Sequence, residues 1–544
     1  LSAEIHNKTY NVSAFFKRHL ALVILVFFAA VFFIVYSWTY LGNANSPKFT
    51  SPDETANYFF ITQFAEHSTL QLDEPLNRTA GGLIAPRSTV VKDGMIVPGS
   101  FLGMALVYGL FAKIIGVKLI LFVTPLLSAV AVVFFYLLLK KIFPARVAFL
   151  SSMLLFVLPP FFYYSSRGMF HNIVCIDFFI IGLYFILKAF GDTSAVRMSR
   201  LYTCLGSFFV GLALMVRTSE IIWISLVVLA LCVAYRRTIR KEQIYVSLGI
   251  IVMVFLPVLF MNNHLYGSPL SFAYTSSTNE SAGLTAVPAS AFLLKIRHIL
   301  FPFDVQMSNI THAANAYVVM IMPWFFVGVI VFACWLLRLA FMRMKKRFLN
   351  EPSGMPPSFT VSQALYIVLF FLISLWLLLY YGSFEFSEFF DRTKIILGSS
   401  YLRYWLPIFV FGMPLCLLGF ELISRLFSKK IIQRIVLSVL LITFFIFSIN
   451  LTLLDPLQGL AQLKTNIAGA RKLSNEVDRV TPSNAVIISG FADKVFFPSR
   501  RVIVAMPSDT STFMNTVQAI TSEAPLYFYF NPLDGYAVST RSQF

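Results

Sequence analysis

A succession of long apolar runs constrains this chain more than any other feature. Residues 20–40 and 364–381 each come near the roughly 20 residues that a helix needs to cross a hydrocarbon core. Similar runs recur along most of the sequence. Only 12% of the 544 residues are charged, against about 25% in a soluble domain. The expected fold class is an all-α polytopic membrane protein. The first run is expected to remain as a span and not to be removed as a signal peptide. It is long and aromatic, it lies behind a polar segment, and no small-residue cleavage site follows it.

The net charge of +18 reads as the basic bias of cytoplasmic loops. Membrane lipids are the expected surroundings, and nucleic acid is not an expected partner. Cys175, Cys204, Cys232, Cys334 and Cys416 all fall inside apolar runs, with no CxxC pair. Disulfides and a structural zinc site are therefore not expected.

Basic residues set the threading. Clusters stand at Lys17 and Arg18; at Lys140, Lys141 and Arg146; at Lys188, Arg197 and Arg200; and at Arg236, Arg237, Arg240 and Lys241. Two more run from Arg338 to Arg347 and from Arg425 to Arg434. Placing all of them inside requires about eleven spans, near 20–40, 118–139, 147–164, 172–189, 201–216, 218–235, 244–261, 317–338, 361–381, 405–424 and 435–453. The apolar segment 98–116 would invert every later loop if it spanned. It is expected to be a juxtamembrane helix at the outer interface, with Pro98 in its first turn.

The long connections 41–117, 262–316 and 382–404 then lie outside, and loops of that length are usually functional. The expected organisation is a membrane unit over 1–454 and a small soluble α/β unit over 455–544 on the outer face. In that tail, 464–479 reads as an amphipathic helix and 512–520 as another. Segments 485–489, 501–505 and 526–530 read as strands. No internal repeat is visible, which argues against a transporter built from repeats.

The stretch Ser51-Pro-Asp-Glu-Thr-Ala-Asn-Tyr-Phe-Phe opens a helix soon after the first span. Ser51 or Asp53 could simply cap it, and acidic residues there suit the helix dipole. Alternatively, Asp53 is a general base at a partly desolvated membrane edge, shielded by Tyr58, Phe59 and Phe60.

Seven ordered motifs now carry a resemblance. They are the Asp53-Glu54 pair, Val97-Pro-Gly-Ser-Phe-Leu-Gly, Lys140-Lys-Ile-Phe-Pro-Ala-Arg, Leu158-Pro-Pro-Phe-Phe-Tyr-Tyr-Ser-Ser-Arg, Met215-Val-Arg-Thr, Asn263-His-Leu-Tyr-Gly-Ser-Pro-Leu and Tyr401-Leu-Arg-Tyr-Trp-Leu-Pro. Together they resemble the GT-C superfamily of glycosyltransferases, in its protein O-mannosyltransferase and lipid A aminoarabinose transferase branch. The resemblance implies an inverting transfer of a sugar from a polyprenyl-phosphate donor to a protein, lipid or glycan acceptor at the outer face of a bacterial or archaeal plasma membrane. It implies that Asp53 and Glu54 are the catalytic pair, with Asp53 the catalytic aspartate and Glu54 in the second acidic position, where it orients the site or binds acceptor.

A departing polyprenyl phosphate needs cations near the outer leaflet. Arginine meets that need with bidentate contacts. The candidates at outer span ends are Arg403, whose context matches the family, then Arg217, with Arg167, Arg392 and Lys394. Further substrate contacts are assigned to Tyr58, Arg87, His171 and Tyr404. For Arg87, Lys92 and Asp93, as for Glu385, Glu388 and Asp391, solvated loop charge is the plainer reading. Some relatives bind a divalent metal with acidic groups in the second outer loop. This chain offers His171 and Asn172 there, which does not support a metal, and no cofactor is assigned. The rival class is a transporter or lipid flippase, for which Asp177 and Glu220 are the acidic candidates inside spans, neither with an obvious partner. Asn77, Asn279 and Asn309 head Asn-x-Ser/Thr triplets in expected outer loops. No P-loop, Rossmann fingerprint or HExxH motif is present, which disfavours a nucleotide-sugar enzyme and an ATP-driven pump.

Overall fold

A computed structural model describes residues 2–42, 47–191, 196–271, 273, 300–348, 359–384, 395–505 and 517–529. It is a bundle of membrane-length helices with a small sheet unit at one end.

Among the described residues, nine helices are long and apolar enough to cross a membrane. In chain order these are α1 (Ser2–Ser37), α4 (Val123–Leu139, extended at its start from Leu119), α7 (His171–Gly191), α8 (Val196–Val216), α10 (Lys241–Tyr266), α12 (Pro323–Phe348), α13 (Val361–Gly382), α15 (Leu406–Ser424) and α16 (Lys430–Ile449, continued to Leu454). A tenth arises from α5 (Ala145–Val157) and α6 (Pro159–Ser165), bent by 56° between them. Pro159 and Pro160 remove two backbone donors there, which breaks the helix. The remaining expected span is the apolar segment Thr218–Ala234, including α9 (Ile221–Ala234). One expected boundary moves. The span placed at 317–338 begins at Pro323, because α11 (Met307–Ala314) runs into a wide turn at Asn315–Met320 and the proline starts a new helix.

Burial sorts the helices. In α7, 78% of the apolar window is buried, whereas in α10 only 11% is, and Leu248, Met253 and Phe260 stand exposed. Exposed apolar side chains on a membrane helix are its lipid face, so α7 is central and α10 peripheral.

The segment 98–116 contains α3 (Gly103–Ile115). Thirteen residues rise about 20 Å, short of a bilayer core of roughly 30 Å. The helix packs instead on α2 (Pro52–His67) and on the end of α8. At Gly103 an added Cβ would lie 1.9 Å from the Met215 carbonyl oxygen, so only glycine allows this approach. Pro98 does not open α3 as expected. It ends strand β3 (Met95–Pro98), which pairs with β1 (Leu72–Asp73) and β2 (Thr89–Lys92) in an antiparallel sheet. β1 pairs only with Met95 and Ile96, so Pro98 lies past the end of β1, on an edge where its missing amide N–H leaves no ladder bond unmade.

The tail forms α17 (Leu460–Val480), β4 (Val486–Ser489), the one-turn helix α18 (Asp493–Phe496), β5 (Arg501–Val504) and β6 (Leu526–Phe528). Its strands run parallel in the order β5-β4-β6. The expected helix 512–520 lies partly outside the described residues. The sheet does not close its core alone. One face packs Val486, Ile488 and Ile503 against Leu76, Ala80 and Ile84 of the first loop. The other packs Ile487, Val502 and Phe497 with Phe59 of α2 and Leu473 of α17.

Helix directions bring α2, α3 and this unit to one end of the bundle. Thr39 donates to the Ser166 carbonyl at 2.7 Å, and Thr124 donates to the Gly168 carbonyl at 2.5 Å. The end of α1 and the starts of α4 and α7 therefore meet there. Lys140, Lys141 and Arg146 lie at the opposite end, between α4 and α5.

Candidate active site

Both carboxylates opening α2 turn away from the backbone they could have capped. Ser51 is the N-cap residue, yet no side chain caps the helix. Asp53 accepts from the Ser88 hydroxyl on Oδ1 at 2.5 Å and from Arg403 Nη1 on Oδ2 at 2.8 Å. Its side chain remains 32% exposed, while that of Arg403 is 9% exposed. Burial raises the Asp53 carboxyl, but Arg403 and the Ser88 hydrogen bond outweigh it and hold the group below the usual carboxylate range. Glu54, one residue on, faces inward and pairs with Arg167, with both side chains under 10% exposed. Arg167 also donates to Tyr163 at 3.1 Å and to Thr50 at 3.2 Å. The bend between α5 and α6 delivers Tyr163 and Arg167 to this point.

Arg403 sits on the short helix α14 (Ser400–Tyr404), capped by Ser399 and stopped where Trp405 passes the chain into α15. Its guanidinium lies 4.8 Å from the Phe170 ring and donates to Ser400 at 2.9 Å. Tyr404 links it to Arg217. The Tyr404 ring is 5.2 Å from the Arg403 guanidinium and 4.9 Å from that of Arg217, and it stacks on Tyr381 at 4.7 Å. Arg217 leaves the end of α8 directly after the Gly103 contact. It donates to Glu220 at 2.6 Å and to Tyr381 at 3.1 Å.

Glu220 is thus not the unpartnered acid expected from the sequence. It accepts from Arg217, from Tyr381 at 2.7 Å and from the Trp223 indole. Its partners come from the turn after α8, from α9 and from α13, and only the i,i+3 spacing to Arg217 was readable locally. Asp177, also taken as partnerless, accepts from Ser128 at 2.6 Å inside the bundle.

His171 stands at the start of α7 between these groups. Nε2 lies 3.1 Å from the Phe101 carbonyl, so it carries the proton, and Nδ1 faces Asn57 Nδ2 at 3.4 Å. With Nδ1 and Nε2 both engaged, the ring is a positioned polar wall. Among the described residues no three His, Cys, Asp or Glu side chains converge to hold a metal ion.

The other candidates divide. Tyr58 lies one turn along α2 from Glu54 and packs on Phe49 at 5.4 Å. Phe59 faces Phe497 of the tail at 4.8 Å, and so does not shield Asp53. Arg87 is not a free loop charge. It pairs with Asp493 of the tail at 2.6 Å. Lys394, with Arg392, Asp391, Glu385 and Glu388, lies outside the described residues, as does Asn279. Asn77 is buried and bonds Ile84 through both amide atoms, which fits no exposed glycan acceptor. Ser88 was missed altogether. Its one local signal is the left-handed backbone, φ 63°, which a serine sequence does not announce.

Residues 99–261 match the family model described as dolichyl-phosphate-mannose-protein mannosyltransferase. No curated protein matches the chain. Among solved structures, the chain is similar to the oligosaccharyltransferase of Archaeoglobus fulgidus in its apo form, at 12% identity and a TM-score of 0.53. That match covers 91% of this chain and 65% of the other. It is also similar to ArnT from Cupriavidus metallidurans, apo at 11% identity and TM-score 0.48, covering 96% and 87%, and bound to undecaprenyl phosphate at 10% and 0.49, covering 93% and 90%. The resemblance to the GT-C glycosyltransferases drawn from the motifs is borne out, by the family match in sequence and by the oligosaccharyltransferase match in fold.

Proposed function

We propose, from the premise that this is a multi-pass membrane protein of the GT-C glycosyltransferase type, that it moves a sugar from a polyprenyl-phosphate carrier to an acceptor hydroxyl by one inverting displacement. The observation that carries the reading is the Asp53–Arg403 pair beside Tyr404 and Arg217. It sets one solvent-reachable carboxylate next to two guanidiniums at the bundle end that holds the tail.

At rest, Arg403 keeps Asp53 too weakly basic to serve well as a base. A donor phosphate entering the cleft competes for Arg403 and takes over its charge. Asp53 is then released, and its own partial burial raises its basicity. It accepts the acceptor's hydroxyl proton as that oxygen attacks the anomeric carbon. The bond from that carbon to the phosphate oxygen breaks, and its electron pair stays on the polyprenyl phosphate. Arg403 and Arg217 stabilise the charge that grows there. Charge-assisted guanidinium contacts in a partly dry site are strong enough to matter. The active face is the outer one, and the acceptor is a protein, lipid or glycan.

The test is a transfer assay on the purified chain in lipid vesicles with a panel of polyprenyl-phosphate monosaccharides. One donor should be consumed, with the anomeric configuration of the product inverted. Consumption with retention would overturn the single displacement. Failure of every donor, alongside ATP- or ion-driven lipid movement, would favour a transporter.

A further inference from the structure

The tail reaches Asp53 through two contacts joined by one peptide bond. Asp493, whose side chain is fully buried, accepts from the Arg87 backbone amide at 2.8 Å, from Arg87 Nε at 3.0 Å and from Arg87 Nη2 at 2.6 Å. Arg87 Nη2 also donates to the Phe491 carbonyl at 2.9 Å, and its guanidinium lies 4.9 Å from the Phe491 ring. The next residue, Ser88, is held with φ 63°, a conformation that L side chains rarely adopt. From the other side its carbonyl accepts from the Gly99 amide at 3.0 Å. An added Cβ at Gly99 would lie 2.7 Å from the Ser88 carbonyl carbon, so the two strands sit as close as glycine permits. That posture aims the Ser88 hydroxyl at Asp53 Oδ1, 2.5 Å away. Residues in sparsely populated backbone regions persist only where their surroundings over-determine them. Asp493 on one side and Gly99 on the other supply that determination.

We infer that Asp493 and Ser88 are positioning residues for Asp53, and that the C-terminal unit completes the active site by clamping Arg87. Resting on the reading of Asp53 as the base, the inference gives the tail a task in that same site. The hydroxyl fixes one carboxylate oxygen while Arg403 holds the other. When Arg403 turns to the donor phosphate, the Ser88 bond alone keeps the freed oxygen aimed into the cleft. The ionisable groups that bear on Asp53 are Arg403, which donates to it, and His171, and both sit on helices of the membrane unit, α14 and α7, and not on the tail.

The test uses the full chain and needs no substrate. Dicyclohexylcarbodiimide reacts with protonated carboxyls, so its rate of attachment to Asp53 against pH, read by peptide mass spectrometry, follows that group's titration. Losing one charge-assisted hydrogen bond should raise labelling roughly three- to tenfold above the midpoint. Ser88→Ala should show this, and Asp493→Asn should shift the curve in the same direction, while the labelling of Glu74, which pairs with Arg501, stays unchanged. Wild-type Asp53 curves in both variants would overturn the inference. If Asp493→Asn fails to fold, Arg87→Lys, which keeps a charge opposite Asp493 but loses the two-pronged contact, takes its place, and a wild-type Asp53 curve in that variant overturns the tail's role. Asp53→Asn separates the two layers. Full transfer activity in that variant sinks the catalytic reading even where the labelling shifts stand. An inactive Asp53→Asn with unshifted curves sinks only the tail's role.

Discussion

Asp53 and Glu54 are neighbours on one helix, yet they meet arginine in opposite ways. Glu54 faces the bundle, and its side chain is 3% exposed against an Arg167 that is 7% exposed and further tied to Tyr163 and Thr50. Asp53 is 32% exposed and receives one hydrogen bond from Arg403. The first pair is a lock, because either charge left alone would be stranded without water. The second can open, because water or a phosphate can replace either partner. Adjacent residues of the same chemistry therefore divide into a buried tie and a pair that can open, according to the side of α2 from which each projects.

That contrast can be broken experimentally. Glu54→Ala should destabilise the protein by about 3–5 kcal/mol, the usual consequence of stranding one member of a buried pair. Thermal unfolding in detergent would register it. Replacing both partners, as in Glu54→Leu with Arg167→Met, should recover much of the loss, and no recovery would mean that Arg167 matters for more than the pair.

Glu220→Gln comes next. Glu220 holds Arg217 in place, so the variant should raise the KM for the donor roughly tenfold with a smaller change in kcat, as expected when a binding contact is loosened. Equal losses in both parameters would contradict that role.

A pH series sharpens the comparison at Asp53. Its folded carboxyl is depressed, by Arg403 and Ser88 against the opposing effect of burial, so the unfolded state binds the proton more readily. The pair's stabilisation is therefore fully present above the ordinary carboxylate value near pH 4. It fades as the pH falls below that value and through the depressed folded one. Unfolding measured from pH 6 downward should show an acid loss that is smaller in Asp53→Asn. The smallest effect belongs to Arg200 and Glu242, both more than half exposed. Arg200→Ala should change stability by less than about 1 kcal/mol and lose even that in high salt.

How much of this was legible beforehand follows from range. Hydropathy and the basic turns gave the spans, because each needs only about 20 consecutive residues. The same rules set 98–116 aside as a non-spanning helix. They misplaced Pro98, because nothing near it in sequence reveals the strands at 72–73 and 89–92. Asp53, Arg217 and Arg403 could be singled out because each sits in a recognisable local motif. Glu220 could be named as an acid inside a span but its partners could not, and Ser88 and Asp493 gave no signal, because a lone serine or acid in a loop has no pattern. Asp493 acts on Arg87 across 406 positions of chain, and Asp53 meets Arg403 across 350.

The central claim is that Asp53 takes the acceptor's proton. It is met most directly by comparing wild-type protein with Asp53→Asn in vesicles loaded with the donor that the panel identifies. The variant keeps the side chain's shape and can still accept from Ser88. Transfer should fall by at least about a hundredfold, as for the loss of a general base, with the variant still folded at the assay temperature. Transfer at the wild-type rate in a folded Asp53→Asn protein would contradict the account.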